Sequence, residues 1–210
     1  MKSWEWSKLA ARLAPRRLGL VLVLSSIAAA ASLTEEEKGE GLAHLDRTRA
    51  GVVEATKGLS EAQWNFKPAA DRWSVAETLE HIALAEEMLL EYIASNVMKA
   101  PAGEADRDNQ SLDKKVTRLI ADRSHKVQAP DFLQPTGRWS PEQALERFLA
   151  SRERSEDVLK STPDLRDHVV ESPLGEPLDA YQWLLYISAH SERHTKQILE
   201  VKADPNFPGS

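Results

Sequence analysis

The stretch DAYQWLLYISAHSERHTKQILEVK, residues 179–202, decides the fold. At 100° per residue, Trp183, Ile187, Ile198 and Val201 fall in one narrow arc, the pattern of an amphipathic helix with a buried stripe. Asp179, with Gln182 three residues on, has the form of a capping box and marks the helix start. His190 and His194 lie in the same arc, four apart, so their side chains stand one above the other. Imidazoles inside an apolar stripe need partners, because an unsatisfied buried polar group is costly. They are either core histidines bonded to neighbouring carbonyls or ligands of a metal. An i, i+4 pair on a buried face favours the metal.

The same start signal recurs upstream. Thr34-x-x-Glu37, Ser60-x-x-Gln63, Ser74-x-x-Glu77 and Ser140-x-x-Gln143 all have capping-box form, and Pro141 follows Ser140 at the first helical position. Four long helices are predicted, at about 34–58, 74–98, 140–161 and 179–202, with a short extra helix near 111–123. No alternating β-branched run and no Asn-Gly turn is present, so no strand is expected. The polar, proline-containing segment 99–139 suits a crossover. The predicted class is all-α, a four-helix bundle with a long crossover between its second and third long helices.

A third ligand must come from another helix. His81 lies on the flank of the second long helix, beside the apolar arc of Val75, Leu79, Ile82, Leu89 and Ile93. Three neutral imidazoles with an open fourth position suit catalytic zinc, and with added oxygen ligands also nickel or iron. Glu77, one turn before His81, either caps the helix with Ser74 or serves the metal, and the cap is favoured. His44, His125 and His168 read as solvated. Glu86 and Arg152 each interrupt an apolar arc, which predicts a buried pair between the second and third long helices.

The 210 residues include no cysteine, which excludes disulfides, thiolate zinc sites, a cysteine nucleophile and a lipoprotein anchor. No nucleophile-elbow pattern occurs, so serine hydrolase chemistry is not expected. Residues 1–31 hold five basic groups and one acidic group; the other 179 residues hold 22 basic and 32 acidic. That acidic body argues against nucleic acid as a partner and against stable membrane contact. The basic start ends at Arg16-Arg17, an uncharged run spans Leu18–Leu33, and Ala29-Ala30-Ala31 precedes Ser32. This is the order of a secretory signal peptide over residues 1–31, cleaved near Ser32, with an uncleaved membrane anchor as the alternative. The arginine pair leaves the general and twin-arginine routes both open. A periplasmic or secreted protein is expected.

Two segments resemble the ends of a DinB-like domain. The first is Gly58-Leu59-Ser60-x3-Trp64-x-Phe66-x-Pro68 followed by Trp73-Ser74-x2-Glu77-x2-Glu80-His81-Ile82. The second is Asp179-Ala180-Tyr181-Gln182-Trp183 followed by His190-x2-Arg193-His194-x2-Gln197-Ile198. The resemblance implies that residues 32–210 form one metal-binding four-helix bundle. It also implies a single zinc or nickel ion on His81, His190 and His194, with water completing the shell. Relatives include thiol-dependent S-transferases, so the resemblance points to a metal-dependent transferase or hydrolase that activates a thiol or water. A non-catalytic metal- or ligand-binding bundle is the alternative. Its substrate would be a small molecule, and a homodimer is a possible assembly.

Overall fold

A computed structural model describes residues 32–104 and 106–209. The expected signal peptide lies outside the described residues. Six α-helices follow in order: α1 Glu35–Thr56, α2 Glu61–Asn65, α3 Val75–Ser95, α4 Asn109–Ala121, α5 Pro141–Ser161 and α6 Ala180–Lys202. All five capping boxes form, at Thr34, Ser60, Ser74, Ser140 and Asp179. In each, the cap side chain accepts a backbone N–H three residues on, and that residue's side chain accepts the cap's own N–H. Donors that no helix turn can satisfy are paired in this way. α1 ends just before Gly58, whose φ of 66° is in the left-handed region that glycine enters without steric cost.

Three local features differ from expectation: the Ser60 capping box starts a five-residue helix, α2, that was not among the expected helices, and two others follow. α3 ends at Ser95, not near 98, and Val97–Lys99 tighten into a 3-10 turn. A two-stranded antiparallel hairpin is present where no strand was expected: β1 Val169–Glu171 pairs with β2 Pro177–Asp179. Three residues per strand are too few to show an alternating pattern, and the turn uses Gly175 at φ 77° instead of Asn-Gly. β2 runs directly into the α6 cap at Asp179, so the hairpin aims that helix.

The long helices do not pack in chain order. α1 packs against α5 and α6, and α3 also packs against α5 and α6. The two long helices that come first therefore occupy opposite corners of the bundle. The crossover from α3 to α5 carries α4, which packs along α6 outside the four-helix core.

Two apolar clusters fill the bundle. One holds Leu45, Leu89, Ile93, Leu159, Trp183 and Ile187, and the other holds Val52, Leu79, Ile82, Phe148 and Ile198. Burying each of these side chains contributes about 1.5–3 kcal/mol. Between the clusters lies a polar waist with one residue from each long helix: Thr48, Glu86, Arg152 and Ser191. The expected Glu86–Arg152 pair forms there, with the two side chains 1% and 0% exposed.

Candidate metal centre

The first turns of α3 place His81, and the middle of α6 places His190 and His194. Each of the three offers a ring nitrogen, and these atoms all lie within 4.8 Å of one another. His81 Nε2 and His190 Nε2 are 3.2 Å apart. The ring centroids are separated by 5.0 Å for His81 and His190, 4.5 Å for His81 and His194, and 4.4 Å for His190 and His194. No carboxylate oxygen joins the cluster among the described residues.

The outward nitrogens decide the tautomers of two rings. His81 Nδ1 lies 2.9 Å from the Leu133 carbonyl oxygen. A carbonyl only accepts, so Nδ1 carries the proton and Nε2 keeps its lone pair for the cluster. His194 Nδ1 lies 3.0 Å from Gln197 Oε1, which also accepts from Arg123 Nη1 at 3.0 Å. A guanidinium only donates, so Arg123 identifies that Gln197 atom as the oxygen, and His194 likewise carries its proton on Nδ1.

Burial pushes the His81 imidazole down to about 4, and the Leu133 carbonyl opposes this. Burial also lowers His190 and His194 well below the usual histidine range, helped by the neighbouring imidazoles of the cluster. All three are therefore neutral at pH 7, the form that ligates a cation. The donor set, three neutral imidazoles with two of the rings oriented from outside, fits a divalent ion. The Trp73 ring packs 4.8 Å from the His81 ring and 6.3 Å from that of His194. His190 is the one residue of the three with partial exposure, while His81 and His194 are buried.

Glu77 takes its capping role. Its carboxylate accepts from the Ser74 N–H at 2.8 Å and from Lys67 Nζ at 2.9 Å. The residue that sequence reasoning passed over is Glu80, quoted in the motif with no role attached. Its buried carboxylate accepts backbone N–H groups from Thr136 and Gly137, at 2.9 and 2.8 Å. The partners Leu133 and Gln197 were also passed over. Leu133 acts through its backbone, which leaves no residue-type signal.

The other histidines divide. His125 is exposed, as expected. His168 is half-buried, with Nδ1 against the Ala100 carbonyl. His44 is not solvated either: Nδ1 bonds Ser188 Oγ, and Nε2 lies 3.9 Å from Glu192. Serine, imidazole and carboxylate thus stand in line, but Ser188 is fully buried and no substrate carbonyl reaches it.

The DinB superfamily profile matches residues 44–198. An uncharacterized protein of Bacillus subtilis, YuaE, is 28% identical over 148 residues, covering 70% of this chain and 87% of that protein. The solved structure of YfiT from Bacillus subtilis aligns with a TM-score of 0.55 at 16% identity. The alignment covers 84% of this chain and 92% of YfiT, which is described as a probable metal-dependent hydrolase with an unusual four-helix bundle topology.

Proposed function

The chain belongs to the DinB superfamily, and from that premise we propose that it is a metal-dependent hydrolase holding one divalent cation, zinc or nickel, on His81, His190 and His194. The observation that carries this reading is the convergence of three neutral imidazole nitrogens within 4.8 Å. Such a cation with an open position lowers the pKa of water or a thiol and supplies a nucleophile at neutral pH.

The chain's own residues prepare the place. His81 and His194 present Nε2 lone pairs because Leu133 and Gln197 hold the opposite ring nitrogens. Trp73 packs against the His81 ring and lies stacked beside that of His194. Of the three, only His190 has partial exposure, and a small molecule would have to approach from its side.

The basic, apolar, small-residue order of residues 1–31 supports export, with a mature N-terminus within a few residues of Ser32. Small cytosolic thiols are scarce outside the cytoplasm, and this favours water over a thiol as the activated group. The burial of His81 and His194 favours the second reading, a metal-binding bundle without turnover.

The test is metal analysis of protein purified from its native compartment, then a screen of ester, amide and thiol-acceptor substrates. One zinc or nickel per chain with metal-dependent ester or amide cleavage is expected. Metal without turnover selects the binding reading, turnover only with an added thiol selects the transferase reading, and no metal overturns all three.

A further inference from the structure

Glu80 adjoins His81 in sequence, but successive side chains on a helix diverge by about 100°. Its carboxylate turns to the crossover loop and not to the histidine cluster. Glu80 is 2% exposed, and an ionised carboxylate only accepts. Oε1 accepts the Thr136 N–H at 2.9 Å and Arg138 Nε at 3.1 Å, and Oε2 accepts the Gly137 N–H at 2.8 Å. Two successive amides point at one carboxylate because the chain turns there, with Gly137 at φ 69°.

The same loop carries the 3-10 turn Asp131–Leu133. The Leu133 carbonyl accepts the His81 Nδ1 proton at 2.9 Å. α3 therefore grips one loop through two neighbouring residues, with Glu80 accepting and His81 donating. Removing the first grip frees the loop that supplies the second.

We propose that Glu80 is a positioning residue that holds the Leu133 carbonyl on His81 Nδ1. It thereby keeps His81 in the tautomer and ring orientation that direct Nε2 into the cluster. The geometry stands alone, and the consequence for metal affinity rests on the reading in the preceding section. Partners of this outer kind change metal affinity by about 10–100-fold when removed. By linkage, a cation bound to His81 tightens the loop by the same factor.

The test is Glu80→Gln, which keeps the side chain's size but sets an NH2 group against a backbone N–H or Arg138. The metal-free wild-type and variant chains are compared by 15N shifts of the His81 ring nitrogens, and zinc affinity is measured by competition with a chromophoric chelator. Circular dichroism establishes that each is folded. The His81 Nδ1 signal is expected to leave the protonated position, and zinc binding to weaken about 10–100-fold. A folded variant with wild-type His81 shifts overturns the proposal. Changed shifts with unchanged zinc affinity overturn its consequence for the cation. A merely structural role for Glu80 lowers stability and moves neither readout. If Glu80→Gln does not fold, Arg138→Met removes the one charged donor to the Glu80 carboxylate. About 2–5-fold weaker zinc binding and a shifted His81 signal are then expected, and no change in either overturns the proposal. If wild-type protein binds no zinc, the metal reading fails, and the His81 shifts of the metal-free proteins still decide the role of Glu80.

Discussion

Arg152 grips Glu86 with two parallel hydrogen bonds, Nε to Oε1 at 2.5 Å and Nη2 to Oε2 at 2.8 Å, at the centre of the bundle. Taking both charges out of water costs several kcal/mol per ion, so the remaining donors must be used. They are: Arg152 Nη1 donates to the Leu45 carbonyl and to Thr48 Oγ1, both at 2.6 Å, and Nη2 donates to Ser191 Oγ at 2.9 Å. One guanidinium thus contacts all three other long helices. Sliding any of them by one turn would strand a charge, and this fixes the register between two apolar clusters that fit together less selectively.

Replacing Arg152 by Met should destabilise the protein by about 3–5 kcal/mol, because Glu86 stays buried and unpaired. Replacing Glu86 and Arg152 together by Leu and Met should cost much less. Urea midpoints of the wild type, both single variants and the double variant measure this, and a silent Arg152→Met would mean that the pair contributes nothing to register.

His190→Ala should lose bound metal and lower the melting temperature, since a ligand that binds only the native state stabilises it. His44→Ala should keep full metal content, because His44 bonds Ser188 and takes no part in the cluster. Metal stoichiometry by atomic emission, beside thermal melts, separates the two. Full metal content in His190→Ala would remove His190 from the ligand set.

The acid response of His44 has a definite sign. Burial first, then the charge of Arg47, push its imidazole from 6.5 down to about 4, against the pull of Glu192. Between those values the unfolded chain binds more protons than the native one. The contribution is therefore present above pH 6.5 and lost as pH falls toward 4. It is at most about 3 kcal/mol across that window. His44→Asn should flatten the pH dependence of the urea midpoint between pH 6.5 and 4 relative to wild type. Identical slopes would show that His44 is protonated as easily in the fold as out of it.

Gly41 packs close against Tyr181 of α6 and Leu159 of α5. A Cβ there would stand 2.8 Å from Tyr181 Cε2 and 2.9 Å from Leu159 Cδ2. Tyr181 is held in place by its hydroxyl, which donates to the Glu37 carbonyl at 2.6 Å. Gly41→Ala should destabilise by about 1–3 kcal/mol through overpacking, despite the better helix propensity of alanine. Gly39→Ala, with nothing within 4 Å of the added carbon, should be neutral or slightly stabilising by the same denaturation measurement.

Helix starts were legible in the sequence because a capping box is closed within four residues. The Asp179 and Gln182 side chains each accept the other residue's backbone N–H, whatever the rest of the chain does. The buried faces were legible for a similar reason: helical periodicity is local, and it set His190, His194, Glu86 and Arg152 among apolar neighbours before any packing partner was known. The same periodicity put His81 on the flank of an apolar arc as the third ligand, and the family resemblance agreed with it.

Only the tertiary structure decided which helices are neighbours. The opposite corners of α1 and α3, the hairpin that aims α6, and the burial of His44 against Ser188 depend on contacts between segments far apart in the chain. So do the outer partners of the histidines. Leu133 reaches His81 across 52 positions through a carbonyl that every residue type possesses, and Thr136 and Gly137 reach Glu80 through backbone amides. A backbone group carries no residue identity, so no sequence pattern could mark it. The chain's local chemistry determined which side chains must be satisfied, and the fold determined what satisfies them.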